Sequence, residues 1–238
     1  MESKIPIDKA LDLLGNPETW KKPDGYPNSL ALCVIDSIWS IGIRYPTVVK
    51  VINRYLEHRG YDEDEAHQIC TDGTSDFLMW YRALENGKTS PQVLAIQLKN
   101  RNHTSSSKGK LKAEAVVQAF ELFEVLGIES TQDLIEQSED VESRWLSQIH
   151  GQRSGISWKY LLMLCGQPGV KPDRMMFRFM ERVGVDIKFT SPEEFVDQIV
   201  ETIGIESVNA TAVDHRIWST ERELSKPPRL LRIRSLKN

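Results

Sequence analysis

Asp173 and the glycines ahead of it are the residues of this chain with the most chemistry to offer. Gly151 and Gly155 lie in the run Ile149-His-Gly-Gln-Arg-Ser-Gly155, ahead of the apolar stretch Ile156 to Cys165. Asp173 follows the second glycine by eighteen residues, after Gly166-Gln-Pro-Gly-Val-Lys-Pro172. Glycine lets a backbone turn tightly and approach a phosphate, and the N–H groups that open the following helix carry the positive end of its dipole. Ser154 and Ser157 add hydroxyls at that helix start, and Arg153 adds a cation. A carboxylate opening the next helix is an acceptor-only group, able to take a proton from water or to face a developing positive charge. Each feature also has a plainer reading. Glycine is common just past a helix end, and Pro172-Asp173 is a common capping pair at a helix start.

The elements that must position these groups are helical, because apolar residues recur at three- and four-residue spacing and nowhere alternate over a strand's length. Asn28 or Ser29 can cap a nearly all-apolar, hence central, helix through Leu30, Leu32, Val34, Ile35 and Ile38. Pro46 opens a helix that ends near Gly60, Ser75 can start Asp76 to Leu84, and Ser90-Pro91 starts Gln92 to Leu98. A stripe from Ala113 to Glu124 closes at Gly127; Thr131 and Asp140 precede two short helices, the second leading into the glycine hairpin. Beyond it, Ile156 to Cys165, Asp173 to Val183, a helix from Ser191-Pro192 to Ile203, and one carrying Ala210 to Trp218 complete an all-α chain.

Composition narrows the classes. The 238 residues can bury a core for one large domain or two lobes, and no apolar run approaches a membrane span. The start, Met1 to Asp8, has no basic n-region or apolar h-region, so a soluble, cytoplasmic protein is expected, nucleoid-associated if prokaryotic. Cys33, Cys70 and Cys165 are scattered, as are the five histidines, so no metal or other cofactor is implied. The net charge is −4, yet it is unevenly spread. No acid lies between Glu85 and Glu114, a window that holds Lys88, Lys99, Arg101, His103, Lys108, Lys110 and Lys112 with a Thr-Ser-Ser-Ser run. That window reads as a mobile loop, either simply solvated or in contact with phosphate. Residues 225–238 read as a second basic segment, extended or disordered from its Pro227-Pro228 start.

Taken with the hairpin, the apolar helix and Asp173, the stretch from Gly155-Ile-Ser-Trp to Val170-Lys-Pro-Asp173-Arg-Met-Met-Phe-Arg resembles the helix-hairpin-helix DNA glycosylases, the endonuclease III-like superfamily. Leu30 to Ser40, Val48 to Tyr55 and the long helix from Lys112 resemble the family's earlier helices, so the resemblance covers most of residues 27–183. It implies a two-lobed all-α fold: a helical barrel over 25–167, with the hairpin at about 141–165, and a second lobe of 1–24 plus 168–224, followed by the tail. It also implies a cleft for an extruded nucleotide. Asp173 would assist water attack at C1′ and stabilise the charge on the sugar as a damaged or modified base leaves.

In the same resemblance Gly151, Arg153, Ser154, Gly155 and Ser157, with Lys108 and Lys110, are the DNA-binding candidates, and Trp39 falls where some members carry a side chain that enters the base stack. Trp39 reads equally as a core residue ending an apolar helix. The hairpin is two residues longer between its glycines than the family's pattern, and the four-cysteine iron–sulfur signature is absent. Ser157 stands at the Schiff-base lysine position, which points to a monofunctional enzyme. The expected partner is double-stranded DNA, the expected state a monomer without a membrane partner. The alternatives are a non-catalytic helix-hairpin-helix module that binds DNA or another protein, and a helical protein with no nucleic-acid role. Asp72 to Tyr81 and Asp214 to Trp218 also gather polar and aromatic groups, and both read as structural first.

Overall fold

The apolar three- and four-residue spacing produces helices throughout the computed structural model, which describes residues 5–61, 66–84, 90–105 and 109–225. In chain order they are α1 (Ile7–Leu14), α2 (Leu30–Trp39), α3 (Tyr45–Arg59), α4 (Ala66–Ile69), α5 (Thr74–Ala83), α6 (Pro91–Gln97), α7 (Lys112–Leu126), α8 (Thr131–Glu136), α9 (Ser138–Gln148), α10 (Ile156–Leu164), α11 (Arg174–Val183), α12 (Pro192–Ile203) and α13 (Ala210–Leu224). The chain is all-α: among the described residues the only β-pairing is one isolated bridge, His103 to Leu111. No helix there is long and apolar enough to cross a membrane. Lys88, Lys108 and the tail beyond Ser225 lie outside the described residues.

Helix ends follow local chemistry. The Ser29 hydroxyl accepts the Leu32 N–H, and Ser90, Ser130, Ser191 and Asn209 cap α6, α8, α12 and α13 in the same way. One expected cap is different. Gly73, not Ser75, precedes α5, and the Asp76 carboxylate returns to accept the Gly73 N–H at 3.1 Å. Ser75 instead donates its N–H and hydroxyl to Glu129, at the end of the loop after α7. α9 begins at Ser138, ahead of the expected Asp140, and α1 follows Pro6 with no side-chain cap.

The chain divides into two units. In Pro23–Lys171 the helix α2 is central: every residue from Leu30 to Trp39 is buried, and α3, α5, α7 and α10 pack around it. An aromatic series of Tyr55, Phe77, Phe120, Phe123, Trp145 and Trp158 extends that core, with Phe77 and Phe120 stacked at 3.9 Å between ring centroids. Fully burying each such ring contributes on the order of 2–3 kcal/mol. That stabilisation supports the polar groups embedded in the same unit.

The other unit joins Met1–Lys22 to Pro172–Asn238. Its core is formed by α1, α11, α12 and α13 through Phe179, Phe195, Ile199, Val213 and Ile217. A two-pronged ion pair ties α11 to α13: Arg182 Nε lies 2.5 Å from Glu221 Oε1 and its Nη2 3.2 Å from Oε2, with the glutamate fully buried. Arg216 donates from Nε to the Leu14 carbonyl at the end of α1. This tie explains how an N-terminal segment belongs with the end of the chain.

Candidate functional site

The hairpin between α9 and α10 turns at two glycines in the left-handed region. Gly151 has φ +78° and Gly155 +74°, conformations that cost an L side chain energy. Gly155 donates its N–H to the Gln152 carbonyl, then serves as the residue ahead of α10, with no side chain capping that end. The first backbone bond back to it comes from Lys159 N–H, at 3.0 Å. The opening N–H groups of α10 therefore have no intrahelical acceptor, as at any helix start. Arg153 and Ser154 are exposed at the tip, while Gln152 is buried and holds the His150 carbonyl through Nε2.

The basic window folds back on this hairpin. Thr104 N–H donates to the Lys110 carbonyl at 2.9 Å and Lys112 N–H to the Asn102 carbonyl at 2.8 Å, so two arms pair as a short antiparallel ribbon. Thr104 lies directly over Gly151: a Cβ there would fall 2.4 Å from Thr104 Cβ, closer than packing allows. Glycine at 151 is thus required by ribbon contact as well as by its φ. Arg101, His103 and Lys110 are exposed on the ribbon, and Arg153 and Ser154 are exposed on the hairpin that Thr104 covers at Gly151. Glu114 offsets part of that charge, 3.6 Å from Lys110 Nζ and 3.4 Å from His150 Nε2. The sequence treated window and hairpin separately; the fold makes them neighbours.

Three expected contacts are placed elsewhere. Ser157 is buried, and its hydroxyl accepts the Trp145 indole N–H at 3.1 Å, so it braces the two helices of the hairpin and presents nothing outward. Trp39 has no exposed surface, which corrects its reading as a stacking or wedge residue; its Nε1 has no hydrogen-bond partner among the described residues. Lys112, counted among the loop cations, is also buried. Its Nζ donates to the Ile38 carbonyl at 2.6 Å and the Ile41 carbonyl at 2.9 Å, satisfying acceptors left at the end of α2, and burial, with the charge of Lys171, pushes its pKa down to about 8.

Asp173 precedes α11 in the unit of Met1–Lys22 and Pro172–Asn238. Its Oδ1 accepts from Met175 N–H at 2.7 Å and Met176 N–H at 3.3 Å, so it is a helix cap. Its Oδ2 accepts no hydrogen bond from the described residues, and the residue is half-buried. One oxygen fixes the carboxylate and the other is open. A cap and an oriented acceptor are compatible roles here.

The sequence did not single out the polar group at the end of α2. Asp36 is fully buried; its Oδ1 accepts from Ser40 Oγ at 2.5 Å and its Oδ2 from Tyr26 hydroxyl at 3.2 Å. Tyr45 and Tyr160 come within hydrogen-bonding reach of the same carboxyl, and Lys171 Nζ sits 3.7 Å from the Tyr160 ring centroid. Burial pushes the Asp36 carboxyl above its ordinary value; the bonds from Ser40, Tyr26 and Tyr160 and the charge of Lys171 pull it down without cancelling that effect. The available signal was a lone aspartate inside an otherwise apolar helix. Perturbed carboxyls of this kind concentrate at functional sites.

Asp72, flagged with its aromatic neighbours, resolves differently. Arg59 Nε reaches Oδ2 at 2.6 Å, and the hydroxyls of Tyr55 and Tyr61 donate at 2.6 and 2.9 Å. Burial opposes ionisation, but these partners together hold the carboxyl below its ordinary value. At the other flagged segment His215 stacks on Trp218, and burial lowers its pKa.

The profile of a domain family of unknown function (DUF8548) matches residues 6–222. The chain belongs to that family. The match runs through both units and takes in the hairpin, the ribbon, Asp36 and Asp173. No curated protein and no solved structure matches the chain.

Proposed function

We propose that this protein is a monofunctional DNA base-excision glycosylase that grips duplex DNA through the hairpin and ribbon. It hydrolyses the N-glycosidic bond of an extruded damaged or modified base, with Asp173 assisting. The observation that carries the reading is the hairpin: two left-handed glycines lead into an uncapped helix start with exposed Arg153 and Ser154 ahead of it, and the ribbon packed on Gly151 carries exposed Arg101 and Lys110. Phosphate is the ligand whose charge and acceptor oxygens suit backbone N–H groups, hydroxyls and cations in that order. Further support comes from the sequence resemblance and from the open oxygen of Asp173, an acceptor that can take a proton from an attacking water. Joining the N-terminal segment to the chain after Lys171 also agrees with the architecture that the resemblance implies.

Binding to a duplex at several salt concentrations, followed by alkali treatment to reveal abasic sites, tests both halves of the proposal. Affinity should fall steeply with salt, and Arg153→Ala and Lys110→Ala should each reduce the log–log salt slope by about 1. A duplex carrying the right base should acquire alkali-labile sites. A second reading, a DNA-binding module without excision, is favoured by the use of Asp173 as a helix cap. Salt-dependent binding with no abasic site on any duplex would establish it. Binding that is weak and unchanged in both variants would remove DNA from the account.

A further inference from the structure

Asp36 is a buried carboxyl that the proposed chemistry does not yet use. It faces three phenols, one aliphatic hydroxyl and few charges. Cys33 lies on its own helix, Tyr26 comes from the segment before α2, and Tyr45 from the start of α3. Tyr160 comes from α10, Lys171 from the segment after it, and Lys112 from α7 at the end of α2. Burial outweighs the hydrogen bonds and the Lys171 charge, so this carboxyl holds a proton more readily than an exposed aspartate does.

The phenols form a path outward. Tyr26 is buried and donates to Asp36; the Tyr45 hydroxyl is within hydrogen-bonding reach of both Tyr26 and Asp36, and Tyr45 is 38% exposed. Burial pushes the Tyr45 phenol up to about 12, so near neutrality it keeps its proton and passes one along without becoming charged for long. On the same face of α2, one turn from Asp36, the buried Trp39 N–H has no acceptor among the described residues. Buried donors are normally paired, so an unpaired one a single turn from a buried carboxyl calls for a reason.

Resting on the base-excision reading, we propose that Asp36, Tyr26 and Tyr45 form a proton relay that delivers a proton from the interior to a ring nitrogen of the departing base. The Tyr45 O–H bond breaks as an N–H bond forms on the base. The electron pair of the C1′–N bond leaves with the base, and a water oxygen bonds to C1′ while its proton is released. Asp36 restores the phenol's proton, directly or through Tyr26, and is reprotonated from solvent. The substrate class that follows is a neutral base with a basic ring nitrogen, since a base that is already cationic in the nucleotide departs as a neutral molecule without a proton from the relay.

The test uses the full chain, Asp36→Asn and Tyr45→Phe. Base release is followed against pH, and the carbonyl stretch of a neutral carboxylic acid is followed by infrared difference spectroscopy. Asp36→Asn and Tyr45→Phe should each slow release by at least about 100-fold, the low end for a lost acid catalyst, and flatten the alkaline fall of the rate. The neutral-acid band should persist at neutral pH in the wild type and Tyr45→Phe and vanish in Asp36→Asn. Wild-type release that both variants reproduce in rate and pH profile overturns the relay alone, as does a wild type without the neutral-acid band. A loss in Asp36→Asn that Tyr45→Phe does not share removes the path through Tyr45. If the wild type releases no base from any duplex, the excision reading falls, and the relay falls with it even where the band is present.

Discussion

Asp36 and Asp72 are two buried carboxyls of the same unit, both ringed by tyrosine hydroxyls, and their pKa values are pushed in opposite directions. Asp72 has Arg59 at 2.6 Å with two phenols completing its shell, and the group is kept ionised below its ordinary value. Asp36 has phenols and a serine, with only the field of Lys171 to favour its charge, and burial carries it the other way. Tyrosine hydroxyls therefore favour a buried carboxylate without outweighing its burial; with a guanidinium in direct contact the balance reverses. The first arrangement ties α3 to the start of α5. The second gathers hydroxyls around a carboxyl whose pKa is raised, at the end of α2.

The strongest way to break the contrast is to remove the guanidinium. Arg59→Met should cost about 3 kcal/mol at neutral pH, because it leaves a buried carboxylate unpaired. Asp72 has a lowered folded-state pKa, so its stabilisation is present above the unfolded value near 3.8 and is lost as pH falls through the folded value. Urea unfolding across the acid range should therefore show the cost of Arg59→Met shrinking as pH drops. A cost independent of pH would mean that Asp72 is not held by charge.

Asp36→Asn should behave in the opposite sense. The folded-state pKa of Asp36 is raised, so its contribution falls as pH rises from the unfolded value near 3.8 through the folded one. Asparagine does not titrate. The variant should lie within about 1 kcal/mol of wild type in acid and gain relative to it as pH climbs, a trend that unfolding at a series of pH values would follow. The smallest difference lies in the phenols: Tyr61→Phe, which removes a donor to a carboxyl held below its ordinary pKa, should cost about 1 kcal/mol more than Tyr26→Phe, which removes one to a carboxyl held above it. Equal costs would erase the distinction between the two shells.

Much of this architecture is legible in sequence because local chemistry sets it. Ser29, Ser90 and Ser191 stop and start helices where their hydroxyls can accept an N–H, and Gly60, Gly127 and Gly184 end them in the left-handed region. The nearly all-apolar α2 is central as its composition requires. What was not legible depends on partners distant in the chain. Asp36 meets Tyr160 through the packing of α10 on α2, Lys112 turns inward to reach the Ile38 carbonyl, and Thr104 comes to rest on Gly151. Trp39 and Ser157 mislead for a related reason: a residue type suited to contact outside is equally suited to a core, and only tertiary placement separates the two.

Gly151 and Gly155 show how far the candidate site itself could be read. Their left-handed backbone is what such a hairpin demands, but the ribbon that covers Gly151 is invisible in the local sequence. The direct trial of the central claim is mass-spectrometric detection of free bases released from a panel of damaged and modified duplexes, by wild type and by Asp173→Asn. The account predicts release of at least one base by the wild type, together with an abasic sugar, and its loss in the variant with the fold intact. Equal release by both proteins would contradict the role of Asp173, and release by neither from duplexes that both bind would contradict excision itself.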